Sequence, residues 1–458
     1  MTHLITETEN SDIIAAIATP PGKGGIGVLR VSGRSLEMLA GKIVGSLPLP
    51  RQARLSKFID EAGLVIDQGI VLYFPAPHSY TGEDVLELQG HGGPALMNLL
   101  LSSCLSAGAR LAQPGEFTLR AFLNNKLDLA QAESVADIIN ASTGEAARCA
   151  MRSLQGEFSR AIRGLVEALI TLRTLVEASL DFPEEEIEFA GQGGIADKLE
   201  AIRTQLEGVL MSATQGSLLR EGIRVVLVGQ PNVGKSSLLN ELTGEETAIV
   251  TEIPGTTRDA IRETIEIEGV PIHVVDTAGL RDTHDAVEKI GMARTRDAVG
   301  KANLILLVVD SRCGITAEDR QILQELPVTL PLIHVYNKID LLAAPTSVKT
   351  PEGGSAVYVS AKTGSGMDVL RRKLLEVSGW RTHASGEGTF MARQRHLHAL
   401  TQARTYLKDA AALAVNAASL ELLAEELRMA QKTLSSITGE FSADDLLGEI
   451  FSRFCIGK

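Results

Sequence analysis

Gly229-Gln230-Pro231-Asn232-Val233-Gly234-Lys235-Ser236 fits the phosphate-loop pattern G-x-x-x-x-G-K-[ST]. The apolar run Ile223-Arg224-Val225-Val226-Leu227-Val228 before it reads as a strand, and Ser237-Leu238-Leu239-Asn240-Glu241-Leu242 after it as a helix. The motif requires that context: glycines let consecutive backbone N–H groups wrap a phosphate at a helix N-terminus, where dipole and unpaired donors both favour an anion. Lys235 is then expected to reach the β- and γ-phosphates and the Ser236 hydroxyl to ligate Mg²⁺, with Asn232, Val233, Gly234 and Ser237 completing the cradle. A Gly-rich turn with a stray lysine is the plainer alternative, and the flanks disfavour it.

Downstream segments identify the base. Asn337-Lys338-Ile339-Asp340 closes the apolar run Leu332-Ile333-His334-Val335-Tyr336. An aspartate there accepts from the guanine N1–H and exocyclic amine, whereas adenine would leave a carboxylate unpaired. Ser360-Ala361-Lys362 follows the strand Ala356-Val357-Tyr358-Val359 and suits the guanine carbonyl oxygen. Asp276-Thr277-Ala278-Gly279 ends the strand Ile272-His273-Val274-Val275, where an aspartate holds Mg²⁺ through water. Thr256-Thr257-Arg258-Asp259 lies between the phosphate loop and that strand, as a switch segment would. Each tetrapeptide alone is weak; their order and strand-end placement specify GTP. Many small GTPases orient the attacking water with a glutamine directly after Asp-x-x-Gly. Leu280 stands there and can do no polar chemistry, so hydrolysis is either slow or served by another residue, of which Glu288 is the nearest candidate.

The chain has 458 residues, 44% hydrophobic and 22% charged, with a net charge of −13. That length suits about three domains, and the acidic balance disfavours a protein that coats nucleic acid non-specifically. Cys104, Cys149, Cys313 and Cys455 are scattered with no C-x-x-C pair, which points to free thiols rather than a disulfide framework or zinc site. No leader and no long uncharged apolar stretch is found, so a cytoplasmic location without a membrane span is expected. Cys455-Ile456-Gly457-Lys458 resembles a prenylation box only superficially, since Gly457 and Lys458 do not suit one.

The expected fold class is multidomain: an α+β N-terminal domain (1–119), a helical bundle in two parts (120–219 and 381–458), and an inserted α/β P-loop GTPase domain (220–380). Phe158, Ile162, Leu165, Leu169, Leu172, Val176 and Leu180 make one helical stripe. Ile195, Leu199, Ile202, Leu206, Val209 and Ala213 make a second, and Leu420, Leu423, Leu427, Ala430, Leu434 and Ile437 a third, ended by Gly439. Asp181-Phe182-Pro183-Glu184-Glu185-Glu186 reads as a solvated break, and Ser442 with Asp445 as the cap of a final helix over 443–454. In the first segment Gly22-Lys23-Gly24-Gly25-Ile26-Gly27 matches G-x-G-x-x-G, but Val28 to Gly33 reads as a strand, so a turn between strands is expected instead of a dinucleotide site. His91-Gly92-Gly93-Pro94 lacks any G-x-S-x-G companion, against a hydrolase.

Further long stretches carry a resemblance. They are Ala18 to Gly27, the run Tyr80-Thr81-Gly82-Glu83-Asp84-Val85-Leu86-Glu87 continuing to Pro94, Arg120-Ala121-Phe122-Leu123-Asn124-Asn125-Lys126 continuing to Glu133, and the terminal Phe454 to Lys458. With the inserted GTPase segment they make the chain resemble, end to end, the tRNA-modification GTPases of the MnmE (TrmE) family. The resemblance implies an N-terminal domain that forms a homodimer and binds 5-formyl- or methylene-tetrahydrofolate through Arg30, Glu87, Lys126 and Lys458. Lysines and an arginine suit glutamate-tail carboxylates, and a carboxylate suits the pterin N–H edge. It also implies K⁺ in place of an arginine finger, held by the Asn232 side chain and by Thr251, Ile253 and Thr256 of the switch loop Thr251-Glu252-Ile253-Pro254-Gly255-Thr256. Thr257 joins Ser236 on Mg²⁺, Glu288 orients the water through a second water, and paired GTPase domains meet across the K⁺. The implied reaction is GTP hydrolysis coupled to adding an aminomethyl-type (carboxymethylaminomethyl) group to C5 of the wobble uridine of certain tRNAs. It runs with an FAD-dependent partner protein in a heterotetramer or larger complex that binds much of the tRNA. Cys455 either joins that chemistry or is a small buried thiol. A ribosome-assembly GTPase shares the loop signatures but would be expected to carry a basic RNA-binding module; a non-catalytic GTP switch is compatible with Leu280.

Overall fold

The computed structural model describes residues 12–181, 194–244, 263–276, 300, 302–326, 330–342, 355–381, 388–414, 420–440, 444–452, 454, 455 and 457. They fall into two compact units, Met1–Ala136 with Leu154–Lys198 and Tyr406–Lys458, and Asp137–Ser153 with Leu199–Thr405. The acidic break after Asp181 and the Ser442 cap lie outside the described residues.

The first unit holds a six-stranded sheet in the order β3-β4-β5-β2-β1-β6. Its strands are β1 (Ile14–Ile17), β2 (Gly24–Gly33), β3 (Arg54–Ile59), β4 (Val65–Phe74), β5 (Asp84–Gly92) and β6 (Arg110–Leu111). Pairing is antiparallel except between β1 and β6. Side chains alternate across a strand, so Leu29, Val31, Leu86, Leu88, Val71 and Tyr73 share one face and bury it against α1 (Glu37–Val44) and α2 (Pro94–Ser106). Arg30 and Glu87 have the opposite parity and are directly opposed across β2 and β5. The strand expected over Val28 to Gly33 is present and no dinucleotide-binding helix opens there, but the strand starts at Gly24, with an irregular register between Gly24 and Gly27, inside the stretch expected as a turn.

Helix α3 (Glu116–Leu123) delivers Arg120, only 2% exposed, into a polar centre beneath the sheet. Its guanidinium donates to Glu83 at 2.9 Å, to Glu116 at 3.0 Å and to the Asp12 carbonyl at 2.9 Å. Burial pushes the Glu116 carboxyl up, but Arg110, the Gln113 N–H and the charge of Arg120 outweigh it and hold the group below its ordinary value. Farther along the chain α6 (Glu157–Asp181) packs along α12 (Leu420–Thr438). Leu165, Leu169, Leu172 and Val176 are buried on one, Leu423, Leu427, Ala430 and Leu434 on the other, which bears out both stripes. Gly439 ends α12 at φ 91°, close against Phe122 and Leu129, where any side chain would collide.

The second unit holds a sheet in the order β12-β11-β10-β7-β9-β8. These strands are β7 (Ile223–Val228), β8 (Glu263–Ile267), β9 (Val270–Asp276), β10 (Leu304–Asp310), β11 (Leu332–Asn337) and β12 (Ser355–Tyr358). All pair in parallel except β8 with β9. β7 and β10 are buried almost end to end, because a parallel sheet is covered on both faces and its strands need no polar side. Among its helices are α8 (Lys235–Gly244), α9 (Ala317–Glu325) and α10 (Met367–Val377). Helices α4 (Leu129–Asn140), α5 (Gly144–Leu154), α7 (Gly194–Glu221) and α11 (Gln394–Leu413) contribute residues to both units, and α13 (Asp444–Ser452) belongs to the first.

Arg120→Ala would leave Glu83 and Glu116 buried without their shared cation, and the first unit should lose about 3–5 kcal/mol, read by urea denaturation. A loss below about 1 kcal/mol would mean that the carboxylates find other partners.

Candidate guanine-nucleotide site

In an open parallel sheet the ligand crevice lies outside the carboxyl ends of the strands. β7 runs straight into the phosphate loop, where Asn232 adopts φ 62° and Gly234 φ 97°. A Cβ on Gly234 would run into Asn337 Nδ2, so only glycine lets the loop close over β11. Lys235, 6% exposed, donates from Nζ to the carbonyls of Gly229 and Gln230, both at 2.8 Å. The helix begins at Lys235, two residues earlier than the apolar pattern indicates, and exposes Ser236 and Ser237 in its first turn. Val233 is buried beneath the loop.

The guanine-reading segments are bonded to this loop. Asn337, 2% exposed, donates from Nδ2 to the Val233 carbonyl at 3.0 Å. Its Oδ1 accepts from the N–H groups of Lys338 at 2.8 Å and Ala361 at 3.0 Å, so one amide ties three segments together. Lys338, left-handed at φ 68°, donates to the Asn232 carbonyl at 2.7 Å and to Asp310 at 2.9 Å. Asp340 is exposed on the short 3-10 turn Ile339–Leu341 and accepts from Ser360 Oγ at 2.7 Å, which orients its carboxylate. Lys362 is exposed beside it. Asp310 went unnoticed in the sequence. The Arg312 guanidinium beside it, with Lys338, holds its carboxyl well below the usual carboxylate range. An acid ending the wholly apolar strand Leu304 to Val309 is the signal that could have found it.

β9 ends on Asp276, whose backbone is in register with Leu227 just before the phosphate loop. Thr251, Glu252, Ile253, Pro254, Gly255, Thr256, Thr257, Thr277, Ala278, Gly279, Leu280, Glu288 and Lys458 lie outside the described residues.

In the first unit Arg30 and Glu87 are each 17% exposed and joined at 2.9 Å. The guanidinium also lies 5.3 Å from the Tyr80 ring and 5.9 Å from that of Phe117. Both donated bonds go to one Glu87 oxygen. Among the described residues the other Glu87 carboxylate oxygen makes no hydrogen bond to Arg30 and is left as a half-buried acceptor. Sequence chemistry assigned the two residues separate tasks; the fold makes them a pair. Lys126 donates to the Pro77 carbonyl at 3.0 Å. Cys455 is exposed, not a buried thiol, whereas burial pushes Cys104 and Cys149 up to about 12. No helix among the described residues is long and apolar enough to cross a membrane.

A glycine-rich loop between β7 and α8, cross-bonded to an Asn-Lys-x-Asp segment at the end of β11, defines a P-loop protein of the guanine-nucleotide class. Residues 129–455 match the family model of the MnmE helical domain, and residues 13–126 that of the GTP-binding protein TrmE N-terminus. The tRNA modification GTPase MnmE of Nitrosospira multiformis is 69% identical over 450 residues, covering 98% of this chain and 99% of that one. That of Nitrosomonas europaea is 64% identical over 449 residues, covering 98% and 100%. Among solved structures, the G domain of the T. maritima FeoB iron transporter is 28% identical over 34% of this chain and 98% of that chain, with a TM-score of 0.24. The chain belongs to the MnmE family of tRNA modification GTPases.

Asn337→Ala would strip Val233 and Ala361 of their bonds and release three segments at once. The second unit should lose about 1–3 kcal/mol in nucleotide-free thermal or urea unfolding. An unchanged midpoint would mean the loops are held independently.

Proposed function

We propose that this chain is a potassium-dependent GTPase which, with an FAD-dependent partner, adds an aminomethyl-type (carboxymethylaminomethyl) group to C5 of the wobble uridine of certain tRNAs. The one-carbon unit comes from a tetrahydrofolate. Family membership supports the overall activity. The single observation supporting the nucleotide half is that Asn337 and Lys338 hold two consecutive phosphate-loop carbonyls, so base recognition and phosphate cradle are built as one piece.

In this reading Lys235 exchanges its loop carbonyls for β- and γ-phosphate oxygens. Ser236 and Thr257 would hold Mg²⁺, with Asp276 acting on it through water, and the ion would supply positive charge to the phosphates. Asn232 and the carbonyls of Thr251, Ile253 and Thr256 would hold K⁺, which would supply the positive charge that a guanidinium gives elsewhere. Glu288 orients the attacking water through a second water, a task Leu280 cannot perform. The water oxygen bonds to the γ-phosphorus and the bond to the bridging oxygen breaks, leaving GDP and inorganic phosphate. Asp340 accepts from the guanine N–H groups, and Ser360, Ala361 and Lys362 line the base.

Arg30, Glu87, Lys126 and Lys458 hold the tetrahydrofolate, which supplies the one-carbon unit. Arg30 and Glu87 orient the bound ring or its carboxylates as a preformed pair, and the exposed Cys455 is available to the modification chemistry. The domains follow the boundaries 1–119, 120–219, 220–380 and 381–458. Two copies form a cytoplasmic homodimer whose GTPase domains meet across K⁺ and which assembles with the partner into a heterotetramer or larger complex.

Turnover should be about tenfold or more faster in KCl than in NaCl at equal ionic strength, and Glu288→Ala should lower kcat by about 100-fold with little change in GDP affinity. Equal rates in the two salts would remove the cation, and an active Glu288→Ala would remove that residue. In calorimetry with 5-formyltetrahydrofolate, Arg30→Ala should bind about tenfold or more weakly than wild type. Equal binding would take Arg30 out of the folate site.

A further inference from the structure

Asp310 closes β10 in register with Asn337 at the end of β11, and no motif in the chain assigns it a task. Its side chain is 12% exposed, and the carboxylate accepts four hydrogen bonds. Oδ1 takes the Arg312 backbone N–H and Nε, each at 3.0 Å, and Oδ2 takes an Arg312 terminal nitrogen at 2.8 Å and Lys338 Nζ at 2.9 Å. The same Lys338 ammonium reaches the Asn232 carbonyl at 2.7 Å. Lys338 and Asn232 are both left-handed, at φ 68° and 62°. A lysine keeps that conformation only where surrounding bonds hold it, while asparagine adopts it readily and is fixed there by what bonds to it. Here one ammonium joins the two left-handed residues, and one carboxylate fixes the ammonium.

We propose that Asp310 is a positioning residue for the monovalent-cation site: through Lys338 it holds the Asn232 backbone left-handed and thereby aims the Asn232 side-chain amide at the cation. The inference rests on the reading of Asn232 as a potassium ligand. A lysine stem has four rotatable bonds and three donors, so a single acceptor at Asn232 leaves it free to swing. A second, charged acceptor on the other side removes that freedom, and bonds between charged groups are shorter and stronger than neutral ones. Arg312 grips both oxygens of Asp310 and fixes the plane of the carboxylate. Asp340 is oriented separately, by Ser360. Losing Asp310 should therefore disturb the Asn232 backbone more than the base contact, and cation dependence should separate from nucleotide affinity.

The test uses the full chain as wild type, Asp310→Ala and Asp310→Asn. GTP turnover is measured across a KCl range at constant ionic strength, and affinity for a fluorescent GDP is measured in NaCl. Asp310→Ala should raise the half-saturating KCl concentration about tenfold while leaving GDP affinity within about threefold. Asp310→Asn keeps an uncharged acceptor and should fall between the two; it also serves if the alanine variant does not fold. A readout independent of turnover is the crystal structure of each nucleotide-free variant in sodium, in which Asn232 should leave the left-handed region in Asp310→Ala. An unshifted KCl response, a parallel loss of GDP affinity, or an Asn232 that keeps its conformation would each overturn the inference. If wild type itself turned over equally in sodium and potassium, the cation reading would fall and the inference with it. A potassium-dependent wild type with an unshifted Asp310→Ala overturns the inference alone.

Discussion

Two hydrogen bonds to neighbouring carbonyls, from Asn337 Nδ2 to Val233 and from Lys338 Nζ to Asn232, hold the second unit's chemistry in place. The phosphate loop must be open enough for backbone N–H groups to face an anion, which leaves its carbonyls pointing the other way. The buried Val233 carbonyl needs a donor, and the more exposed Asn232 carbonyl gains one. The segment that reads the base supplies them, so the outward-facing cradle and the guanine-recognition turn stabilise one another. The order β11-β10-β7 brings that turn within reach, because only β10 stands between the two strands whose ends carry the loops.

The first unit solves a different problem. Its sheet has one face committed to the core through Leu29, Val31, Leu86 and Leu88. The other face keeps half-buried charge in the Arg30–Glu87 pair, steadied by aromatic rings on the arginine. Deeper in, Arg120 joins Glu83 and Glu116, which belong to segments far apart in the chain. Buried ion pairs of this kind contribute little net stability when whole and cost much when broken. Their effect is therefore to specify where segments go more than to strengthen the fold. Ser32 Oγ donates to Glu83 at 3.0 Å, so β2, the strand that carries Arg30, is tied to the same polar centre.

What could be read in advance follows how local each signal is. The strand before the phosphate loop, the loop and the stripes on α6 and α12 announce themselves within a few residues, and the structure has them where the periods place them. Helix α8 starts two residues before its apolar pattern, because Lys235 and Ser236 are polar and a helix whose first turn faces a ligand shows no apolar stripe there. Arg30 and Glu87 sit 57 positions apart; period two shows that each points away from the core but not that β2 and β5 are neighbours. Only a family resemblance singled them out. Asp310 escaped altogether, since an acid at a strand end looks like an ordinary turn former until the lysine that it grips is known.

The phosphate loop divides into a half that is held and a half that can let go. The carbonyls of Asn232 and Val233 are bonded to side chains whose own backbones are fixed at the end of β11, and a phosphate has no reason to displace those donors. The carbonyls of Gly229 and Gln230 are bonded instead to Lys235 Nζ, an ammonium almost wholly buried. A buried ammonium must have acceptors, and the two carbonyls are neutral ones. Phosphate oxygens carry full charge and bind it more strongly, so the exchange favours the nucleotide without any rearrangement of the loop backbone. A loop whose carbonyls are held from outside spends little of the binding free energy on ordering itself.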